Sequence, residues 1–266
     1  MKFKRIISVL CIVLTVSVIT GCSCSSGNSS KGNSTNNQEN QNAQSTDANK
    51  TGSENTDAID ILPIEVEYNS SKMVEGTNEP IFIGSYPAFD VKTQGYDKLK
   101  EQLYAVSEES KNIVNKELQE AEQEYASNPE YFPIEMQEGA EVLRADKEYT
   151  CIVVYTHNYQ KGAPHATRES RYYNFKSLSG EVVNYNDIVK DKEKAYELVK
   201  SSIEQQIGSS NVINNDDLKK FIYQEGDNYK QKFYLKKDAI VFKYDHYDIA
   251  PYAAGMFSAE IPYDQL

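Results

Sequence analysis

Three rhythms of apolar and polar residues divide the chain. Residues 6–19 are almost all apolar, residues 23–58 almost none, and from Ile64 onward apolar positions recur with regular spacing. In this third region, 64–68 and 80–89 alternate or cluster apolar residues between turn-rich segments, which predicts short strands. Tyr96, Leu99, Leu103, Val106, Ile113, Val114, Leu118, Ala121 and Tyr125 then fall every three or four positions, with Glu and Lys between them. That spacing predicts one long amphipathic helix over 96–125. Asn128-Pro129 should end it, because proline disfavours the helical region for the residue before it.

Residues 142–144 and 149–158 read as two strands joined across 145–148, with 171–175 as a third and a turn at Ser179-Gly180. Helical spacing returns over 191–207, through Leu198, Ile203 and Ile207, and over 216–223, through Leu218 and Ile222. A strand pair at 232–235 and 239–244 follows, and 256–261 closes the chain as a strand. One helix after two strands, then helices between hairpins, predicts an α+β fold: a mainly antiparallel sheet packed with one long helix and shorter helices.

Lys2, Lys4 and Arg5 ahead of the first apolar run make residues 1–21 a secretory signal. The run is shorter than the roughly 20 residues that cross a bilayer, and small Thr20 and Gly21 close it, so it reads as export and cleavage. Ile19-Thr20-Gly21-Cys22 resembles the bacterial lipobox, whose cysteine is alkylated by a diacylglyceryl group and becomes the new N-terminus. Membrane lipid attached through Cys22 is therefore expected, holding the protein at the extracytoplasmic face of the cell membrane. The competing reading is an uncut transmembrane anchor. Two or three acyl chains make such attachment stable, since each buried CH₂ contributes about 0.8 kcal/mol.

The polar stretch that follows is Ser, Asn, Gly, Gln, Thr and Lys, too poor in apolar surface to offset chain entropy. Residues 22–60 should be a disordered tether with an r.m.s. reach of roughly 30 to 35 Å. Loss of Lys2, Lys4 and Arg5 would take the formal charge from −12 to −15. Nucleic acid and anionic lipid are poor partners for such a surface, whereas a cationic protein would be steered toward it; a merely soluble exterior is the plainer reading of the same charge. Of four cysteines, Cys11 leaves with the signal, Cys22 is the anchor, Cys24 lies in the tether and Cys151 sits in a strand-like run. No disulfide framework follows, and Cys151 reads as a small buried apolar residue.

Two stretches resemble extracytoplasmic modules that occur in tandem. Arg144-Ala145-Asp146 and Gly162-Ala163-Pro164-His165 make 61–165 similar to the N-terminal module of PdaC-type peptidoglycan deacetylases, a DUF4163-like module. Tyr173-Asn174-Phe175, Ser179-Gly180, Asn186-Asp187-Ile188, Phe233-Tyr234-Leu235 and the run Tyr247-Asp248-Ile249-Ala250-Pro251-Tyr252-Ala253-Ala254-Gly255 make 166–266 similar to the RsiV-type C-terminal module, which is DUF3298-like. One departure stands out: the first family usually reads Gly-Gly-Ala-His, where this chain has Lys161 for the first Gly and Pro164 before His165. In the anti-sigma factor RsiV the tandem binds lysozyme; in the deacetylase it accompanies a separate catalytic domain. With neither an anti-sigma segment nor a deacetylase domain in view, the resemblance implies a non-catalytic binding module, for lysozyme or another cationic wall-active protein, or for peptidoglycan.

The resemblance points to the Tyr247–Gly255 run and the loop at His165, with His165, Tyr247, Tyr252 and Gly255 as candidate ligand-binding residues. Tyr suits recognition of protein and sugar alike, having a broad ring and a hydroxyl at low entropy cost. The plainer reading makes the Tyr residues half-buried strand positions and Pro251 and Gly255 loop-shapers. His157, His165 and His246 are the only histidines, and Asp245-His246-Tyr247-Asp248 is the one dense polar cluster. On a strand, His246 and Asp248 would share one face and Asp245 and Tyr247 the other. No metalloprotease, nucleophile-elbow, phosphate-loop or paired-cysteine motif occurs, and no catalytic residue, metal or cofactor is implied.

Overall fold

The computed structural model describes residues 58–207, 213–225 and 232–266. The signal, Cys22 and the tether up to residue 57 lie outside the described residues. Ordered chain is in place by Ala58, which bridges Asp146, and Ile59 is buried with its N–H on the Ala145 carbonyl at 3.0 Å. The fold thus takes in the last residues of the expected 22–60 tether.

The first sheet has the order β1 (Ile61–Glu67), β2 (Phe82–Val91), β3 (Ile134–Ala145), β4 (Tyr149–Gln160) and β5 (Thr167–Lys176). Its pairs are antiparallel except β2 with β3. Parallel neighbours need a long crossover, and the predicted helix supplies it as α1 (Asp97–Glu124). Leu99, Leu103, Val106, Val114 and Ala121 on one stripe of α1 are buried, against Val91, Ile152, Val154 and Phe175 at one end and Phe82, Phe132 and Met136 at the other.

Strand β3 begins eight residues before the reading at 142–144. Its alternation is broken at Glu138, a carboxylate on the face that α1 covers, between Met136 and Ala140. A one-letter pattern treats that residue as solvent-facing, but Arg171 neutralises it inside the fold.

The single sheet expected from the pattern is in fact two. The second has the order β6 (Phe233–Leu235), β7 (Ala239–Tyr244) and β8 (Phe257–Pro262), and packs with α2 (Tyr185–Ile188), α3 (Lys192–Glu204) and α4 (Asn215–Tyr223) around a core that includes Val199, Ile203, Leu218, Leu235, Phe242 and Ile261. Asp191 and Asn214 cap α3 and α4 by accepting first-turn N–H groups. Among the described residues no helix is long and apolar enough to cross a membrane.

Side chains join the two sheets. Lys243 N–H bonds the Lys232 carbonyl and Lys236 N–H the Ala239 carbonyl, so the even residues of β6 face β7 and Phe233 and Leu235 turn their carbonyls to the other edge. There Asn174 Nδ2 donates to Phe233 O at 2.9 Å and Cys151 Sγ to Leu235 O at 3.6 Å, while Arg144 Nη1 donates to Lys236 O at 2.6 Å. The Phe233 and Leu235 carbonyls are thus satisfied without a pairing strand. Cys151 is buried as read, and it is a donor as well. Desolvation pushes its thiol up to about 11, so little thiolate exists at neutral pH. Iodoacetamide should leave Cys151 unmodified in the native chain and alkylate it in denaturant, with peptide mapping separating it from Cys22 and Cys24; rapid native labelling would contradict this burial.

The expected division at 165/166 falls in the β4–β5 loop, so a strand of the second stretch completes the sheet of the first. The chain comes in beside Ala145 and Asp146 at one end of this sheet. The β4–β5 loop, with His165, lies at the other.

Candidate functional site

Strand β5 is the outer strand of its sheet, and its free edge is used in two halves. In the C-terminal half, Lys176 N–H donates to Glu181 O and Val183 N–H to Asn174 O, both at 2.8 Å. By the period of two, the same edge carries the backbone groups of Ser170 and Tyr172. Here the loop after β7 approaches: Asp245 accepts Ser170 N–H at 2.8 Å and Ser170 Oγ–H at 2.9 Å. Between this half of β5 and that loop lies a groove of about 700 Å³.

The loop is not a strand, which corrects the face assignment for residues 245–248. Asp248 Oδ2 accepts the Asp245 N–H at 2.7 Å and Tyr247 takes a left-handed φ of 68°, so the chain reverses on itself. Asp245 and Asp248 therefore converge instead of pointing apart, and both hold Lys232 Nζ, at 2.7 and 3.1 Å. Burial lowers the Lys232 pKa, but the two carboxylates outweigh it and the net shift is upward. At Asp248, burial outweighs Lys232 and the carboxyl pKa is raised. Ile249 and Ala250, buried in the core, pin the loop from behind.

Pro251 then opens a single 3-10 turn, Tyr252–Ala254, and this turn delivers the rings. Tyr252 stacks on His165 at 4.4 Å and on His246 at 4.3 Å between centroids, with Tyr247 at 5.4 Å. The structure thus brings His165, Tyr247 and Tyr252 together in the groove. Gly255 is not part of the lining; it ends the turn at φ 85°, as the loop-shaping reading has it. Tyr244, by contrast, is fully buried in β7, a strand position as expected but deeper than half-buried.

The opposite wall is β5 and α1. Arg171 grips Glu138 with two bonds of 2.8 Å, donates from Nε to Tyr173 OH at 3.2 Å and comes within 3.9 Å of Glu109. Burial works against its charge, yet Glu138 wins and Arg171 is held protonated. Desolvation pushes the Tyr173 phenol up to about 12 and raises that of Tyr172 as well. Glu109, Ser170, Arg171, Lys232, Asp245 and His246 were not among the expected site residues. Only His246 and Asp245 carried a signal in the sequence, as members of the polar cluster. The lining holds four carboxylates (Glu109, Glu169, Asp245, Asp248) and three fixed cations (Arg168, Arg171, Lys232), a formal −1 with neutral imidazoles. Such a surface can bind by ring contact and charge. Among the described residues no group of three His, Cys, Asp or Glu converges to hold a metal.

Residues 186–264 match the family described as "Protein of unknown function (DUF3298)". Two solved structures share the fold: a member of that family from Bacteroides fragilis (TM-score 0.56, 19% identity, covering 79% of this chain and 92% of the other) and one from Pseudomonas aeruginosa (TM-score 0.53, 16% identity, 79% and 93%). No curated protein sequence matches the chain. The matched segment includes Lys232 and the whole 245–255 loop, but not β5 or His165, so one wall of the groove lies within it and one outside.

Proposed function

We propose that this chain, whose residues 186–264 carry the DUF3298 pattern, is a lipid-anchored, non-catalytic binding module of the cell surface for a cationic wall-active protein, with lysozyme as the candidate partner. One observation carries the reading: rings from two separate stretches, His165 from one and Tyr247 and Tyr252 from the other, meet in one groove whose fixed charges sum to −1. The groove includes the His165 loop, at the sheet end opposite Ala58. The net charge of −12 supports steering of a cationic partner.

The test is capture of lysozyme by the full-length chain in detergent, at low and at moderate salt. Retention is expected at low salt and should weaken at moderate salt, because screening shortens the reach of surface charge. No retention at either ionic strength would remove the reading. A second reading, a wall-glycan accessory module, draws on Tyr247, which is 63% exposed and leaves a ring open for sugar stacking. Binding to purified peptidoglycan that survives high salt would favour it.

A further inference from the structure

The ring cluster is not equally available. Tyr252 already stacks on two imidazoles, so it positions its neighbours. Tyr247, held by a left-handed turn and mostly exposed, is the ring left open to a ligand. Two of the three lining cations are already matched internally, Arg171 by Glu138 and Lys232 by Asp245 and Asp248. On the opposite wall, Glu109 is half exposed and Glu169 is exposed. An open aromatic ring in a groove with accessible carboxylates suits a cation better than a neutral sugar, since the ring face and the carboxylates both attract positive charge.

We propose that the group received in this groove is a guanidinium or ammonium side chain of the protein partner, set on Tyr247. The proposal rests on the binding-module reading above and deepens it.

Calorimetric titration of the full-length chain with hexa-arginine amide, at fixed ionic strength, tests this. Binding is expected in the wild-type chain at about pH 7.5. Tyr247→Ala, an exposed change that leaves the core untouched, should weaken binding about fivefold, the loss of one cation–π contact. Failure of hexa-arginine to bind the wild-type chain, or undiminished binding by Tyr247→Ala, overturns the proposal. Lysozyme capture without hexa-arginine binding sinks this proposal alone, and hexa-arginine binding without lysozyme capture supports it while removing lysozyme as the partner.

Discussion

Glu138→Ala is expected to destabilise the fold by about 3 kcal/mol or more, the cost of leaving a largely buried cation without its partner. The Glu138 side chain is 0% exposed and that of Arg171 27%. Thr156 Oγ1 also donates to Glu138 and Ser110 Oγ accepts from Arg171, so the change strands several polar groups on the face that α1 covers. For a unit of this size the thermal midpoint should fall by roughly 10 °C. Denaturant unfolding of the variant measures the loss, and a change below about 1 kcal/mol would mean the buried pair contributes little to the fold. The double variant Glu138→Leu/Arg171→Met should recover much of the stability, because a buried pair replaced by apolar groups sheds its desolvation penalty.

Asp245→Ala is expected to cost about 2 to 3 kcal/mol and to abolish the groove as a binding surface. This one carboxylate satisfies the Ser170 N–H and hydroxyl and half of Lys232, joining the edge of one sheet to the loop of the other. Asp248→Asn should cost less, since burial already disfavours the charged form of Asp248. The pH dependence follows from the direction of each shift. Lys232 has a raised folded pKa, so its contribution is complete below the ordinary lysine range and is lost as pH rises through the folded value. Asp248, also raised, holds its proton more tightly when folded, so its contribution declines as pH rises from the ordinary carboxyl value through the folded one. Equilibrium unfolding across alkaline pH should show a steeper loss in wild type than in Lys232→Met; parallel curves would remove Lys232 from the account.

The groove was legible in proportion to how local its signals are. Tyr247 and Tyr252 stand in a nine-residue run, and His165 in a short loop motif, so a resemblance marks them from the order of residues alone. Gly255 belonged to the same run but serves the backbone, and motif matching does not separate a residue that touches a ligand from one that turns the chain. Lys232 and Ser170 gave no sign, because each is ordinary among its neighbours and becomes important only through Asp245.

By its sequence the chain dictates what depends on near neighbours: the period of α1, the caps of α3 and α4, the strands that alternate cleanly, and the α+β class. Tertiary structure alone decided the rest. The parallel β2–β3 pair, the separation into two sheets, the burial of Glu138 and the meeting of His165 with Tyr252 each join residues far apart in sequence. Such contacts depend on where a side chain ends up and on which charge it finds there, and neither is written in the spacing of apolar positions.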